Sequence, residues 1–107
     1  MNIGFAMAFN QFTEPALIAD SAILIEEMGA YSVWAPEHVM FFPEYDSSYP
    51  YSESGRIPGD PEGLLDPFTV LTFIAARTKN LRLGTGICLV PQRNPICMAK
   101  MVADLDL

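Results

Sequence analysis

The fold is decided by residues 3–35, whose sequence is IGFAMAFNQFTEPALIADSAILIEEMGAYSVWA. Residues 3–9 form a short apolar run, which is typical of a buried strand. Residues 16–28 carry apolar side chains at helical spacing, and Gly29 closes this predicted helix as a left-handed cap. Residues 31–35 are β-branched and aromatic, which predicts a second strand. A strand, a helix and a strand joined by short links predict a right-handed βαβ unit with parallel strands.

The rest of the chain repeats this alternation after a long interruption. Residues 40–65 hold four of the nine prolines, and a loop this long inside a compact domain is usually either functional or disordered. A helix is predicted over residues 68–78, a strand with two internal glycines over residues 81–90, and a third helix from Pro95 onward. The sequence therefore predicts the α/β class with a βαβαβα order and parallel strands.

The third predicted helix shows no stop signal. Its apolar spacing continues to Leu107 without the Gly, Pro or basic last turn that usually ends a helix. Three parallel strands would also leave unpaired edges and half-covered faces in a short chain. We therefore expect residues 1–107 to be one partial domain, the N-terminal portion of a longer α/β protein that is truncated in its third helix. The alternative is a small open α/β domain that is completed by oligomerisation.

Composition restricts the function classes. Half of the 107 residues are apolar, 18% are charged, and the formal net charge is -7. The apolar fraction excludes an intrinsically disordered chain, and the acidic balance argues against nucleic acid as a partner. The chain has no apolar run of about 18 residues, which argues against a membrane-spanning helix, and its start does not read as a signal peptide. The two cysteines lack metal-ligand spacing, so we expect no metal site and a reduced, cytoplasmic setting.

His38 is the single histidine of the chain and follows the second predicted strand. Ligands of α/β proteins bind at the carboxyl ends of the strands, so position nominates His38 as a candidate catalytic residue. Its imidazole can donate or accept a proton near neutral pH, or face a cofactor ring as a polar group. The alternative is a surface or capping histidine that pairs with Glu37.

Residues 83–87, LGTGI, have two glycines of a dinucleotide-binding fingerprint. The third glycine is missing and the two that are present lie inside a predicted strand, so that assignment fails. Glycines in a buried strand mark a bulge or the close approach of a ligand to the backbone. The alternative is tight packing against a neighbouring helix.

The predicted loops hold further candidate contacts. Arg93, after the third strand, can neutralise an anionic group or remain a solvated loop arginine. Tyr49 and Tyr51 lie in the long loop over residues 40–65, which can be an active-site lid or an oligomer contact because tyrosine suits both.

Several stretches then point to one family. MGAYSVWAPEH occupies residues 28–38, DPFT occupies residues 66–69, and LRLGTGI at residues 81–87 is followed by VPQRNP at residues 90–95. In this order and spacing they resemble the luciferase-like monooxygenase superfamily, and more narrowly its coenzyme F420-dependent oxidoreductases. The intervening YPYS at residues 49–52 is similar to an F420-dependent subgroup.

The resemblance implies a fold and a set of site residues. The family fold is a (β/α)8 TIM barrel of about 250 residues, of which this chain would supply about three of the eight units. The resemblance implies that His38 faces the flavin or deazaflavin ring and helps with proton transfer. It also implies that Gly84, Thr85, Gly86 and Ile87 shape the platform under that ring, with a non-prolyl cis peptide at Gly86–Ile87.

The resemblance also implies a function. The parent enzyme would transfer a hydride between coenzyme F420 and a small organic substrate, whereas the same fold with FMN would activate oxygen for monooxygenation. The loop residues Glu37, Tyr49 and Tyr51 would contact the substrate, and the parent would be a homodimer. Most groups for the cofactor's phosphate tail would lie beyond residue 107, so the 107-residue chain alone is expected to be inactive. A non-catalytic barrel subunit and a gene fragment without function are the alternatives.

Overall fold

A computed structural model describes residues 1–57 and 63–107 of the chain. Strands and helices alternate along it, with a short 3₁₀ turn before the last helix. The elements are β1 (Gly4–Ala6), α1 (Pro15–Glu27), β2 (Ser32–Ala35), α2 (Pro67–Ala75), β3 (Arg82–Thr85), the 3₁₀ turn (Val90–Gln92) and α3 (Pro95–Leu105). None of the helices in the described residues is long and apolar enough to cross a membrane.

The strands form one parallel sheet in the order β1-β2-β3. Val33 in the central strand lies opposite Phe5 on one side and Leu83 on the other. The predicted α/β class and the parallel pairing are therefore confirmed, and the arrangement is consistent with a partial luciferase-like TIM barrel.

The hydrophobic core lies on one face of this sheet, between the strands and helices α1 and α2. The largest fully buried side chains are Val33 of β2 and Leu71 and Ile74 of α2. Helix α1 contributes Ile18, Ala22 and Ile25, which are three and four residues apart and so share one stripe.

The opposite face of the sheet carries a tryptophan between two glycines. The Trp34 indole donates a hydrogen bond to Ser32 Oγ at 2.9 Å, and the residue remains 45% exposed. A Cβ added at Gly84 would lie 2.6 Å from Trp34 Cε3, and one added at Gly4 would lie 3.0 Å from its Nε1. Gly84 thus makes room for an aromatic ring of the adjacent strand, and not for a neighbouring helix as the alternative interpretation supposed.

The helix ends follow the predicted signals. Asp66 accepts a hydrogen bond from Thr69 N at 3.0 Å and caps α2, and Asn94 accepts from the backbone of Ile96 at 3.0 Å to cap α3. Gly29 has a φ of 77°, which confirms the left-handed cap after α1.

The strands are shorter than predicted. β3 ends at Thr85 and not at residue 90, because Gly86 makes the last backbone bond to β2 and the Leu89 N–H donates to a side chain instead. β1 spans three residues, although Met7 N still donates to Trp34 O at 2.8 Å. Two helices also end earlier than expected, α2 at Ala75 and α3 at Leu105.

The predicted long loop contains no helix or strand in residues 40–57 and 63–65. Its residues 58–62 lie outside the described residues. A local contact orders its middle: Ile57 N donates to the Tyr45 hydroxyl at 2.7 Å, and the Arg56 guanidinium lies 4.7 Å from the centre of the Tyr45 ring.

Candidate functional site

The carboxyl ends of the strands bring the candidate residues to one edge of the sheet. β2 leads into Glu37 and His38, and β3 leads into Gly86 and Ile87. Gly86 N donates to Ala35 O at 2.8 Å, which holds the end of β3 beside the end of β2. Because the strands are parallel, this is the edge at which α/β proteins bind their ligands.

A cavity of about 540 Å³ opens between the ends of β1 and β2 and the long loop. Its volume lies within the range of small-molecule sites, about 300–1,000 Å³. Its walls include Phe9, Asn10, His38, Phe41, Tyr49 and Leu64. The cavity therefore has a mainly apolar lining with a few polar groups, as is usual for organic ligands.

His38 lies on the wall of this cavity and is exposed. Its imidazole stacks on the Phe41 ring, with the ring centroids 4.0 Å apart and the planes inclined by 18°. The acceptor groups of Glu37 are engaged by Leu89 and Arg93, so the alternative pairing of His38 with Glu37 is not what the structure shows. His38 thus lies on the cavity wall after β2, and its catalytic role stays a prediction.

The segment after β3 contains a cis peptide bond between Gly86 and Ile87, at the position that the family resemblance implied. The Ile87 side chain is 67% exposed, and a Cβ at Gly86 would come no closer than 3.9 Å to Trp34. Thr85 pairs with Ala35 as the last residue of the strand. An exposed backbone segment and an apolar side chain thus lie on the same edge as His38.

Glu37 is the buried charge of this edge, with a side chain only 1% exposed. Its Oε2 accepts from Leu89 N at 2.5 Å and its Oε1 accepts from Arg93 Nε at 2.7 Å. Arg93 Nη2 also reaches Asp66 Oδ2 at 2.5 Å, and its guanidinium lies 4.6 Å from the centre of the Phe68 ring. Sequence reasoning missed this network, in which the Arg93 side chain is 17% exposed and already pairs with both carboxylates.

The charged groups of this network shift the pKa values of their neighbours. The hydrogen bond to Asp66 raises the pKa of Arg93, and the bonds to Glu37 add to this against the effect of burial. Partial burial opposes ionisation of Asp66, but the hydrogen bonds from Arg93 and Thr69 outweigh it and lower the pKa of that carboxyl. Burial, together with the charge of Glu37, raises the pKa of the Cys88 thiol, which keeps it protonated and a poor nucleophile.

The two loop tyrosines are placed differently. Tyr49 lines the cavity, whereas Tyr51 is 84% exposed and contacts the edge of the Tyr49 ring at a centroid distance of 5.5 Å. Tyr49 thus lies on the cavity wall and Tyr51 outside its lining, and the substrate contact of both stays a prediction. The two cysteines, Cys88 and Cys97, are free thiols, and residues 1–57 and 63–107 contain no cluster of three or more groups that could hold a metal ion.

Comparison with known proteins decides the family. The sequence profile of a family described as luciferase-like monooxygenase matches residues 2–107. The chain belongs to this family. The luciferase-like chain is 32% identical over 89 residues to an uncharacterized protein of Mycobacterium tuberculosis, which covers 82% of this chain and 32% of that protein. A second uncharacterized protein of the same organism is 29% identical over 106 residues, covering 98% of this chain and 36% of its own length. The luciferase-like chain therefore spans about a third of the length of the curated relatives it matches.

Luciferase-like proteins commonly bind flavin or F420 cofactors, and the described residues fit the ring of such a cofactor. The exposed Gly86–Ile87 segment and the His38–Phe41 pair offer flat and apolar surfaces at one edge. The neighbouring arginine, Arg93, is already shared by two carboxylates. This edge consequently suits a planar ring better than a phosphate tail.

Proposed function

We propose that this chain forms the ring-binding part of a longer luciferase-like oxidoreductase that transfers a hydride between coenzyme F420 and a small organic substrate. One observation supports the proposal above the others. His38 and the exposed Gly86–Ile87 segment share the carboxyl edge of the sheet, beside a cavity of about 540 Å³. The similarity of residues 49–52 to an F420-dependent subgroup favours the deazaflavin over FMN.

The residues of this chain would bind and orient the cofactor ring and the substrate, and His38 would donate or accept a proton. When bound, the deazaflavin supplies the hydride chemistry, which the protein itself does not. Ile87 and its backbone form an apolar seat for a ring, and the cavity beside His38 accepts the substrate. The imidazole nitrogens of His38 can donate or accept a proton at neutral pH. Tyr49 and Phe41 form aromatic parts of the cavity wall, against which an organic substrate can pack.

The test uses the full-length parent protein with purified F420 and, separately, FMN. Binding is followed by visible absorbance and by quenching of cofactor fluorescence, and turnover is measured with a panel of small organic substrates. We expect stoichiometric binding of F420 and weaker binding of FMN. Tight binding of FMN together with oxygen-dependent turnover would replace the proposal with a monooxygenase.

The role of His38 is tested by His38→Ala in the same protein. Loss of a positioned general acid or base lowers kcat by about 10²–10⁴-fold, while far-UV circular dichroism should stay unchanged because His38 is exposed. Lys100→Ala is the control, since Lys100 is an exposed residue of α3 that pairs with Asp104. Unchanged turnover in His38→Ala would favour a non-catalytic subunit.

A further inference from the structure

We propose that Glu37 and Arg93 are positioning residues, which set the placement of His38 relative to the Gly86–Ile87 segment. We call the network of Glu37, Arg93 and Asp66 the carboxylate clasp. The inference rests on the proposed function, because it concerns the site at which that function would occur.

The first half of the carboxylate clasp joins the two strand ends that carry the site. Glu37 directly precedes His38, and its buried Oε2 accepts from Leu89 N at 2.5 Å. Leu89 follows Ile87 by two residues. Upstream of the cis peptide, Gly86 is held by Ala35 O at 2.8 Å. The segment is therefore fixed to β2 on both sides, by a strand hydrogen bond before it and by the Glu37 carboxylate after it.

The second half fixes the carboxylate itself. Arg93 Nε donates to Glu37 Oε1 at 2.7 Å, and Nη2 donates to Asp66 Oδ2 at 2.5 Å. Asp66 is the N-cap of α2, and Arg93 directly precedes Asn94, the N-cap of α3. A guanidinium is planar and binds carboxylates in a fixed geometry, which a lysine ammonium does not reproduce. The clasp thus ties the end of β2 to the starts of two helices.

The carboxylate clasp positions side chains more than it stabilises the fold. Two carboxylates share one guanidinium, and the desolvation of buried ions cancels much of their attraction, so a buried ion pair adds little net stability. What such a pair does supply is direction, since hydrogen bonds to charged groups are short and well aligned. Both carboxylate oxygens of Glu37 are engaged by the clasp, so its effect on the reaction is exerted through the placement of His38 and Ile87.

A second carboxylate provides the matched control. Glu26 Oε1 accepts from the backbone N–H groups of Lys79, Asn80 and Leu81, at 2.8, 2.6 and 3.0 Å. Glu26 thus binds backbone N–H groups beside β3 as Glu37 does, but before the strand begins and at the opposite edge of the sheet. A substitution there removes comparable hydrogen bonds without reaching the candidate site.

The experiment compares Glu37→Gln, Arg93→Lys and Glu26→Gln in the full-length parent. Misplacement of a reacting group by about 1 Å costs about 10²-fold in rate. We expect Glu37→Gln and Arg93→Lys to lower kcat by about 10-fold or more with a smaller change in KM, and to alter the absorbance of bound F420. Glu26→Gln should lower the thermal midpoint and leave kcat, KM and the spectrum unchanged.

A measurement without cofactor separates failure of this inference from failure of the proposed function. In the cofactor-free protein, NMR of the His38 imidazole and the Ile87 methyl groups should shift in Glu37→Gln and Arg93→Lys and not in Glu26→Gln. If the parent binds no F420 and these shifts occur, the proposed function is wrong and the positioning role stands. If both sets of resonances and kcat remain as in the parent, or if Arg93→Lys behaves as the parent does, the positioning role is refuted.

Discussion

Replacing Gly84 with alanine tests the packing of the open face of the sheet. A Cβ at this position would lie 2.6 Å from Trp34 Cε3, 2.8 Å from Cζ3 and 2.9 Å from Cδ2. All three atoms belong to one indole, which is further held by its hydrogen bond to Ser32 at 2.9 Å. The ring cannot yield to the new methyl group without leaving its position across β3.

Two opposing effects set the change in the free energy of unfolding. Overpacking costs about 1–3 kcal/mol, while the change from glycine to alanine gains about 0.4–1 kcal/mol by restricting the unfolded chain where the backbone allows it. Gly84 is not among the glycines with positive φ, so its backbone accepts alanine. We expect a net loss of about 1–2 kcal/mol in the free energy of unfolding. For a domain near this size, that lowers the thermal midpoint by about 4–8 °C per kcal/mol.

The assay uses the fact that Trp34 is the single tryptophan. Intrinsic fluorescence reports the environment of this indole, so Gly84→Ala should shift the emission maximum as well as the urea midpoint. In a Trp34→Ala background, judged by circular dichroism, the clash is absent and Gly84→Ala should stabilise the protein by about 0.4–1 kcal/mol. If Gly84→Ala stabilises the protein equally in both backgrounds, the packing argument is wrong.

Three further predictions follow from the hydrogen bonds and charges. The hydrogen bond from Asn80 N, aided by those from Lys79 and Leu81, lowers the pKa of Glu26 below its ordinary value of 4.5. The ionised Glu26 carboxylate therefore stabilises the fold above pH 4.5. This contribution is lost as the pH falls through the lowered pKa. Urea unfolding should show Glu26→Gln less stable than the parent at pH 7, and this difference should shrink as the pH falls below 4.5. A difference that stays constant over this range would contradict the prediction. Asp66→Ala should cost about 0.5–2 kcal/mol through loss of the α2 cap, and Asp66→Asn, which keeps the cap acceptor, should cost less by thermal unfolding; equal costs would contradict the capping role. A fluorescence titration of the isolated 107-residue chain should show weak or no binding of F420 or FMN, and tight stoichiometric binding would overturn that expectation.

The order of elements and the sheet could be predicted because their signals are local. The cap-plus-proline pairs Asp66-Pro67 and Asn94-Pro95 mark the starts of α2 and α3, as the structure confirms. The local signal at the end of α1 is Gly29, which adopts the positive φ that favours glycine. The position of the cis peptide came from the family resemblance, since no rule of composition or spacing identifies it.

The carboxylate clasp and the packing of Trp34 could not be predicted because both depend on contacts between distant parts of the chain. Glu37 and Arg93 are separated by 56 residues, and each considered alone is an ordinary loop charge. The sequence leaves open whether Arg93 neutralises an anionic group or stays solvated, and the structure pairs it with carboxylates of the protein itself. The sequence offers a ligand or a helix as the neighbour of Gly84. Its actual neighbour is Trp34 of the adjacent strand, which only the strand register identifies.

The distribution of charge at the carboxyl edge favours a flat ring over a charged group. Arg93 lies at this edge, where Glu37 and Asp66 balance its charge, so it has no excess positive charge to offer. The surfaces beside it, Ile87 and the stacked His38, are apolar or aromatic. A flat, uncharged ring loses little hydration free energy when it moves from water onto such a surface. A phosphate, by contrast, needs cations or aligned N–H donors. In a chain with a net charge of -7, this edge therefore fits the proposed role of seating a ring, and its Arg93 has no unbalanced charge for a phosphate.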